Sequence, residues 1–312
     1  MDDSEWLAQR FQEHRAHLRG VAYRMLGSLS EADDAVQDAW LRLSRADAGE
    51  IENIGGWLTT VVSRVCLNVL RSRDVRREQA LDVHLPDPII TPERELQPEE
   101  EALLADSVGL ALQIVLDTLA PAERLAFVLH DMFELPFEEI APMVGRTPGA
   151  ARQLASRARR RVAGAEIRAP DSNLRRQRQV VDAFFAAARA GDFDALVAVL
   201  DPGVVLRGDF GARRTGGSTV VQGAEAVARQ ALLGASAAAE LHPALVNGAA
   251  GVVITMHGRP FAVMAFTVAS GKIVGIDVIA DPERVRRVAS AVLVAPDDER
   301  TREEPLDSTC RS

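Results

Sequence analysis

A multidomain chain, two all-α helical units followed by an α+β unit, is what the 312-residue sequence predicts, and three observations carry that reading. Apolar residues recur at spacings of three and four through the first half. Residues 135–162 encode two short helices around a tight turn, the second studded with arginine. After residue 240 the period falls to two, with short apolar runs separated by turn residues. The length suits two or three compact units, and an apolar content of 47% allows each a core of ordinary size.

In the first unit, Leu18, Val21, Ala22, Met25 and Leu26 form one apolar stripe. Val36, Trp40 and Leu43 form a second, and Leu58, Val61, Val62, Val65 and Val69 a third, all at helical spacing. Residues 44–56, SRADAGEIENIGG, carry loop chemistry between the second and third. The second helix lines up Asp34, Gln37, Asp38 and Leu41, an acidic face with an apolar residue on it; as a pattern this is either a solvated surface or an interface. The third helix is its reverse, with Arg64, Asn68 and Arg71 on one face and Arg73, Arg76 and Arg77 following. Residues 78–100 hold four prolines among acids, show neither helical nor strand period, and read as a linker.

The second helical unit spans about residues 101–166. Leu110, Ile114, Val115 and Leu119, then Leu125, Val128 and Leu129, predict amphipathic helices. Phe137, Ile140, Ala141 and Val144 follow at helical spacing, with Gly145 as the stop and Pro142 expected to bend or shorten that helix. Thr147 can cap the next helix and Pro148 suits its first position. There Ala151, Ala155, Ala158 and Val162 form a narrow seam that lets two helices pack closely. Arg152, Gln153, Ser156, Arg157 and Arg160 are left on the opposite face, offering guanidinium and amide groups to base edges and phosphates. The whole reads as a helix-turn-helix.

After a basic connector at residues 168–178, Val181, Phe184, Phe185 and Ala188 give a helical stripe, with further helices expected over residues 192–200 and 223–239. Strands are expected at residues 241–246, 251–256, 260–268 and 272–279, with a tight turn at Ser270-Gly271. Helices first and an antiparallel meander after them predict a curved sheet. A last helix starts at Asp281-Pro282, and residues 296–312 are expected to form a disordered acidic tail.

The formal net charge of -9 argues at first against nucleic acid, but the acids cluster away from the basic stretches at residues 71–77 and 152–178, and local charge decides. Two isolated cysteines, Cys66 and Cys310, exclude a disulfide framework and a cysteine-based metal site, and suit a reducing cytoplasm. No apolar run approaches the roughly 20 residues that span a bilayer.

Three segments together resemble the sigma-70 family, and specifically its extracytoplasmic-function sigma factors: AYRMLGSLSEADDAVQDAWLRL (22–43), GWLTTVVSRVCLNVLRSR (56–73) and LAPAERLAFVLHDMFELPFEEIAPMVGRTPGAARQLASRARRRV (119–162). The remainder resembles a SnoaL-like domain, a cone of helices on a curved sheet. The resemblance implies region 2 at residues 5–77, the linker at 78–100, region 4 at 101–166 and a SnoaL-like regulatory domain at 174–290. It implies core RNA polymerase and promoter DNA as partners. Asp34, Gln37, Asp38 and Leu41 would then bind the polymerase; Trp57, Arg64, Asn68 and Arg71 would engage the -10 element; and Arg152, Gln153, Ser156, Arg157 and Arg160 would read the -35 element. The group's usual linker motif, Trp-Leu-Pro-Glu-Pro, stands here as His84-Leu85-Pro86-Asp87-Pro88. Residues 207–213, RGDFGAR, resemble the group's glycine-rich loop. A regulatory contact is expected between Leu85, Pro86, Asp87 and Pro88 on one side and Asp209 and Arg213 on the other, with Arg213 pairing with Asp87.

These readings imply a stoichiometric initiation factor rather than an enzyme, with no cofactor or metal. A small-molecule ligand in the SnoaL-like domain stays open. Two alternatives stand beside it, a ligand-sensing repressor that binds DNA alone and a pocket enzyme fused to a DNA-targeting module. For the last, Asp209, His242, His257 and Asp277 are the candidate acids and bases, although no motif fixes their geometry.

Overall fold

The computed structural model describes residues 3–46, 51–77, 85–93, 110–164, 171–211 and 218–293. Helices α1 (Asp3–Leu26), α2 (Leu29–Leu43) and α3 (Ile54–Arg77) pack against one another through the predicted stripes. Gly27 ends α1 in the left-handed conformation at φ 70°, which glycine adopts without strain, and the Ser28 hydroxyl then caps α2. Cys66 lies inside this core, where burial pushes its thiol up to about 12 and leaves it unreactive.

Helix α4 (Leu110–Asp117) leads into α5 (Pro121–Phe127), which continues as a π-helical turn over Val128–Met132. Helices α6 (Phe137–Val144) and α7 (Pro148–Gly164) form the helix-turn-helix. Pro142 sits on the exposed side of α6, a helix of only eight residues. Gly145 closes it at φ 67°, and the Thr147 hydroxyl accepts the Ala150 amide at 3.3 Å ahead of Pro148. Ala151, Ala155 and Ala158 are fully buried, as their small size and spacing demand.

One apolar cluster runs through both helical units, joining Met25, Leu58 and Val62 to Leu125, Val128, Phe137 and Ile140. Sequence periodicity separates two units because it reports that a face is apolar, not what covers it. Arg124, 2% exposed, reinforces the junction: Nε and Nη2 donate to the Arg24 carbonyl at 3.0 and 2.9 Å, and Nη1 pairs with Asp117.

The C-terminal domain is a curved seven-stranded sheet in the order β1-β4-β5-β6-β7-β2-β3. Its strands are β1 (Ile90–Pro92), β2 (Leu200–Asp209), β3 (Ser218–Gln222), β4 (Ala239–Val246), β5 (Ala249–Met256), β6 (Arg259–Ala269) and β7 (Lys272–Ile279). Helices α8 (Leu174–Ala190), α9 (Phe193–Val199) and α10 (Ala224–Gly234) cover one face, and α11 (Pro282–Leu293) packs on the other. Alternation sorts the sides: Phe266 and Val268 of β6 face the first group, Val263 and Ala265 face α11. Three hairpins turn at Asn247-Gly248, His257-Gly258 and Ser270-Gly271, and all six residues have positive φ, as two-residue turns between right-twisted strands require.

Three strands depart from the sequence reading. Strand β2, LDPGVVLRGD, is masked by the turn signal Pro202-Gly203; its pairing shifts register between Leu200 and Val205. It pairs parallel with β7, so the sheet is not wholly antiparallel, and β3 pairs with β2. Strand β1 comes from the linker. Ile90, Thr91 and Pro92 pair antiparallel with Val246, Leu245 and Ala244, an edge position that a proline tolerates. Three residues are too few for a period to register. The expected tail at residues 296–312 lies outside the described residues.

Candidate functional site

On α2, Asp34, Gln37 and Leu41 are exposed and Asp38 is half-buried in an ion pair with Arg42 at 2.8 Å. Ala32, Ala35, Val36 and Ala39 take the inward positions, so the acidic face with Leu41 on it stays outside. On α3, Arg64, Asn68 and Arg71 are exposed while Trp57 packs part of its ring on the core near the helix start. The loop before α3 is described only from Ile51, and there Asn53 Oδ1 accepts the Gly56 amide at 2.9 Å.

On α7 the buried alanine seam turns Arg152, Gln153, Arg157 and Arg160 outward, with Ser156 half-buried between them. The Arg152 guanidinium lies 5.2 Å from the centre of the Phe137 ring, which itself stacks on His130 at 3.9 Å. Arg157 and Arg161 both reach the buried Glu123, at 3.7 and 3.3 Å, and Arg159 pairs with Asp131 at 2.7 Å. The internal pairs hold the C-terminal half of α7. Its first turns, with Gln153 and Arg152, are the freer part.

The linker is gripped from both sides. Arg284, on the inner face of α11, donates to Asp87 Oδ1 at 2.8 Å from Nε, to the Leu85 carbonyl at 2.6 Å from Nη2, and to Asp209 Oδ2 at 2.5 Å from Nη1. Arg287 adds a contact to Asp87 Oδ2 at 3.3 Å. Asp209 Oδ2 also accepts the Leu85 amide at 3.2 Å. Toward the helical half, the Asp87 amide donates to the Gly27 carbonyl and the Tyr23 hydroxyl to the Asp87 carbonyl, both at 2.8 Å. Asn247 completes the junction. Its Nδ2 donates to Tyr23 Oη at 3.3 Å and its Oδ1 accepts the Ile89 amide at 2.6 Å. Burial pushes the Tyr23 phenol well above its ordinary range, so it remains a donor here.

The expected partner of Asp87 was Arg213. That residue lies outside the described residues, and both carboxylate oxygens of Asp87 are taken by Arg284 and Arg287. Leu85 and Asp87 are buried and Asp209 is at the centre, whereas Pro86 and Pro88 are buried without polar roles. Sequence reading missed Tyr23, Asn247, Arg284 and Arg287. Asn247-Gly248 is a strong hairpin signal that would have placed Asn247. Arg284 stands in PERVRR, where nothing distinguishes the one inward arginine from its solvated neighbours.

Between α8, α10 and the sheet lies a cavity of about 280 Å³, walled by Phe184, Phe185, Phe210, Leu241, Met264 and Phe261 among others. None of the four candidate acids and bases is among its lining residues. Asp209 is in the clasp, His242 meets the Thr255 hydroxyl at 3.0 Å, and His257 occupies a hairpin turn. Asp277 pairs with Arg207 at 3.2 Å. Alternation along β2 and β7 sends Arg207, Asp209 and Asp277 to the face opposite the cavity.

Burial raises the Asp277 carboxyl to about 6, against the lowering effect of Arg207. Its folded value is thus raised, so between about pH 4 and 6 the folded chain holds a proton the unfolded chain has lost. Stability therefore falls as pH rises through that window. A shift of this size corresponds to about 3 kcal/mol. Asp277→Asn is expected to gain stability on the parent as pH rises from 4 to 7, in urea unfolding followed across pH. A difference independent of pH would rule out this titration.

Each helical unit thus presents one exposed face bearing arginine and amide side chains, and a third domain holds the chain between them. Residues 10–76 match the family model for sigma-70 region 2, and residues 110–162 the model for sigma-70 region 4. The chain is 38% identical over 291 residues to the probable ECF RNA polymerase sigma factor SigI of Mycobacterium tuberculosis, covering 90% of this chain and 96% of that one. It is 36% identical over 286 residues to the ECF RNA polymerase sigma factor SigJ of the same organism, covering 88% and 91%. The crystal structure of SigJ superposes with a TM-score of 0.70 over 89% of this chain and 97% of that chain. The chain belongs to the extracytoplasmic-function sigma factors of the sigma-70 family, and carries a C-terminal α+β domain built on the seven-stranded sheet.

Proposed function

We propose that the protein binds core RNA polymerase, directs it to promoters through two separate DNA contacts, and is governed by the grip of its C-terminal domain on the linker. The observation that carries this reading is the pair of outward surfaces on α3 and α7, joined through a linker that a third domain holds. The assignment is by residue: Asp34, Gln37, Asp38 and Leu41 to the polymerase, Trp57, Arg64, Asn68 and Arg71 to the -10 element, and Arg152, Gln153, Ser156, Arg157 and Arg160 to the -35 element. Region 2 is assigned to residues 5–77, the linker to 78–100, region 4 to 101–166 and the regulatory domain to 174–290. The place of action is the cytoplasm; among the described residues no helix is long and apolar enough to cross a membrane. Melted DNA offers unstacked bases to Trp57 and Asn68 and a backbone to the arginines.

The two promoter elements lie roughly 85 Å apart along B-form DNA, 25 positions at about 3.4 Å each. Helices that share one core do not reach both. Promoter engagement therefore requires the joint core to part, and the linker clasp opposes that parting by fixing residues 85–92 to the sheet.

Asp34→Lys combined with Asp38→Lys reverses the charge of the α2 face without touching its buried residues. Affinity for core polymerase is expected to drop about tenfold or more at low salt, less at high salt, with helicity unchanged by circular dichroism. Unaltered affinity in competition binding and unaltered run-off transcription would overturn the polymerase assignment.

On α7, Arg152→Ala or Gln153→Ala is expected to cost about 1 to 3 kcal/mol of promoter discrimination, because the first turns approach base edges. Arg160 lies further along, and Arg160→Ala should weaken all sequences alike. A randomised -35 library that returns the same preference profile for Arg152→Ala and Arg160→Ala would refute this division.

A further inference from the structure

We propose that the cavity of the C-terminal domain binds an uncharged, ring-based small molecule and that its occupancy sets the strength of the linker clasp. The proposal rests on the reading that the clasp governs transcription, and it adds the ligand class and the route of coupling. The walls define the class. Phe184 and Phe185 meet edge to face at a centroid distance of 5.4 Å and are backed by Phe266 at 5.6 and 5.8 Å, a fixed aromatic wall, and Phe210 and Phe261 add further rings around the space. Among the described residues no carboxylate or imidazole lines it; Gln230, Ser236 and Arg189 are the hydrogen-bonding side chains there. Arg189 donates to the Ala239 carbonyl at 3.5 Å. A charged occupant would lose its hydration among phenyl rings, and Arg189, the cation among the described lining residues, is exposed to water and turned to the Ala239 carbonyl, whereas an apolar occupant gains contact along the walls. An apolar cavity of about 150 Å³ accommodates benzene, so this one suits a molecule of about two rings with a single polar group toward Gln230 or Ser236.

The coupling follows from strand alternation. Leu206 and Phe210, and Val278 and Ala280, line the cavity from the β2 and β7 segments, while Arg207 and Asp209, and Asp277 and Ile279, alternate with them onto the face that carries α11 and the linker. Phe210 directly follows the carboxylate that receives Leu85 and Arg284, and the Ala280 amide donates to the Asp209 carbonyl at 2.8 Å. The Phe210 ring lies against Gly208, where an added Cβ would come within 2.6 Å. A molecule that moves Phe210 therefore moves the backbone on which Asp209 is mounted. It shifts the clasp only as far as it binds the clasped and released forms unequally.

The test uses the full chain and 2-naphthol at neutral pH, an uncharged two-ring fluorophore with a single hydroxyl. Saturable binding is expected, with affinity about tenfold or more lower in Ala231→Phe, which fills the space, and severalfold lower in Phe261→Ala, which removes an aromatic wall at a partly exposed position. Saturation should change amide exchange across residues 85–90 by about threefold or more in the parent and not in Ala231→Phe. Absence of saturable binding, or binding that neither variant weakens, overturns the site. Binding without altered exchange at residues 85–90 overturns the coupling. Much tighter binding by a chain ending at Leu293 would assign the cavity to the protein's own C-terminal segment and would overturn the small-molecule occupant. None of these outcomes depends on transcription, so the clasp reading fails or stands separately, through Arg284→Ala assayed without any probe.

Discussion

Arg284→Ala is expected to destabilise the protein by about 3–5 kcal/mol and to raise run-off transcription at limiting core polymerase. The stability loss follows from what the substitution leaves behind. Asp87 and Asp209 are each 5% exposed, and the Arg284 guanidinium lies between them. Removing it takes the shared cation from two buried carboxylates, leaving Asp209 its amide donors and Asp87 the 3.3 Å contact to the half-exposed Arg287, which costs far more than the net worth of the ion pair. Adding Asp87→Asn and Asp209→Asn should therefore recover much of the loss, because neutral amides cost less to bury, even though the grip on the linker stays broken. Urea unfolding reads the first effect and single-round run-off transcription the second. The rise in output follows because a linker freed from the sheet lowers the cost of parting the two helical units. A variant as stable as the parent, with unchanged output, would show that Arg284 does not hold the linker.

Arg124→Ala should have a comparable cost in stability and a different structural readout. Its loss leaves the Arg24 carbonyl, at the end of α1, to the long 3.4 Å bond from Gln113, and takes the cation from the largely buried Asp117 carboxylate. About 3–5 kcal/mol is expected, and Arg124→Lys should rescue little, because an ammonium cannot reproduce the planar fork that meets both acceptors. The distinguishing measurement is size. Small-angle scattering should show a larger radius of gyration for Arg124→Ala under conditions where circular dichroism reports unchanged helicity. An unchanged radius would mean that the apolar cluster alone holds the units together.

Much of the helical half was legible in the sequence because its signals are local. The three stripes of region 2, the alanine seam of α7, Thr147 as cap and Gly145 as stop all depend on residues within a turn or two of each other. The outward placement of Asp34, Arg64 and Arg152 follows from the same periodicity. The sheet was half legible. Its four hairpin strands are apolar runs punctuated by turn residues and largely buried on both faces, whereas β2 hides behind Pro202-Gly203 and β1 is three residues borrowed from a proline-rich stretch. The clasp was least legible: the expected partners Leu85, Asp87 and Asp209 do come together, but the cation between them is supplied by α11, and no local rule ties residue 284 to residue 87. The joint core of the helical units was hidden for the same reason, since an apolar face does not announce its neighbour.

Borrowing a strand from the linker also imposes an order in time. Asp87 precedes Arg284 by 197 residues. At ribosomal speeds of about 5–20 residues per second, roughly 10–40 s pass between the emergence of the linker and that of the arginine that closes on it. Once Gly164 has been added, both helical units are complete while the strands from Leu200 onward, which build the sheet that receives Ile90–Pro92, do not yet exist. Every newly made molecule therefore begins life unclasped, and how soon polymerase meets the nascent chain decides whether the finished domain ever has the chance to close.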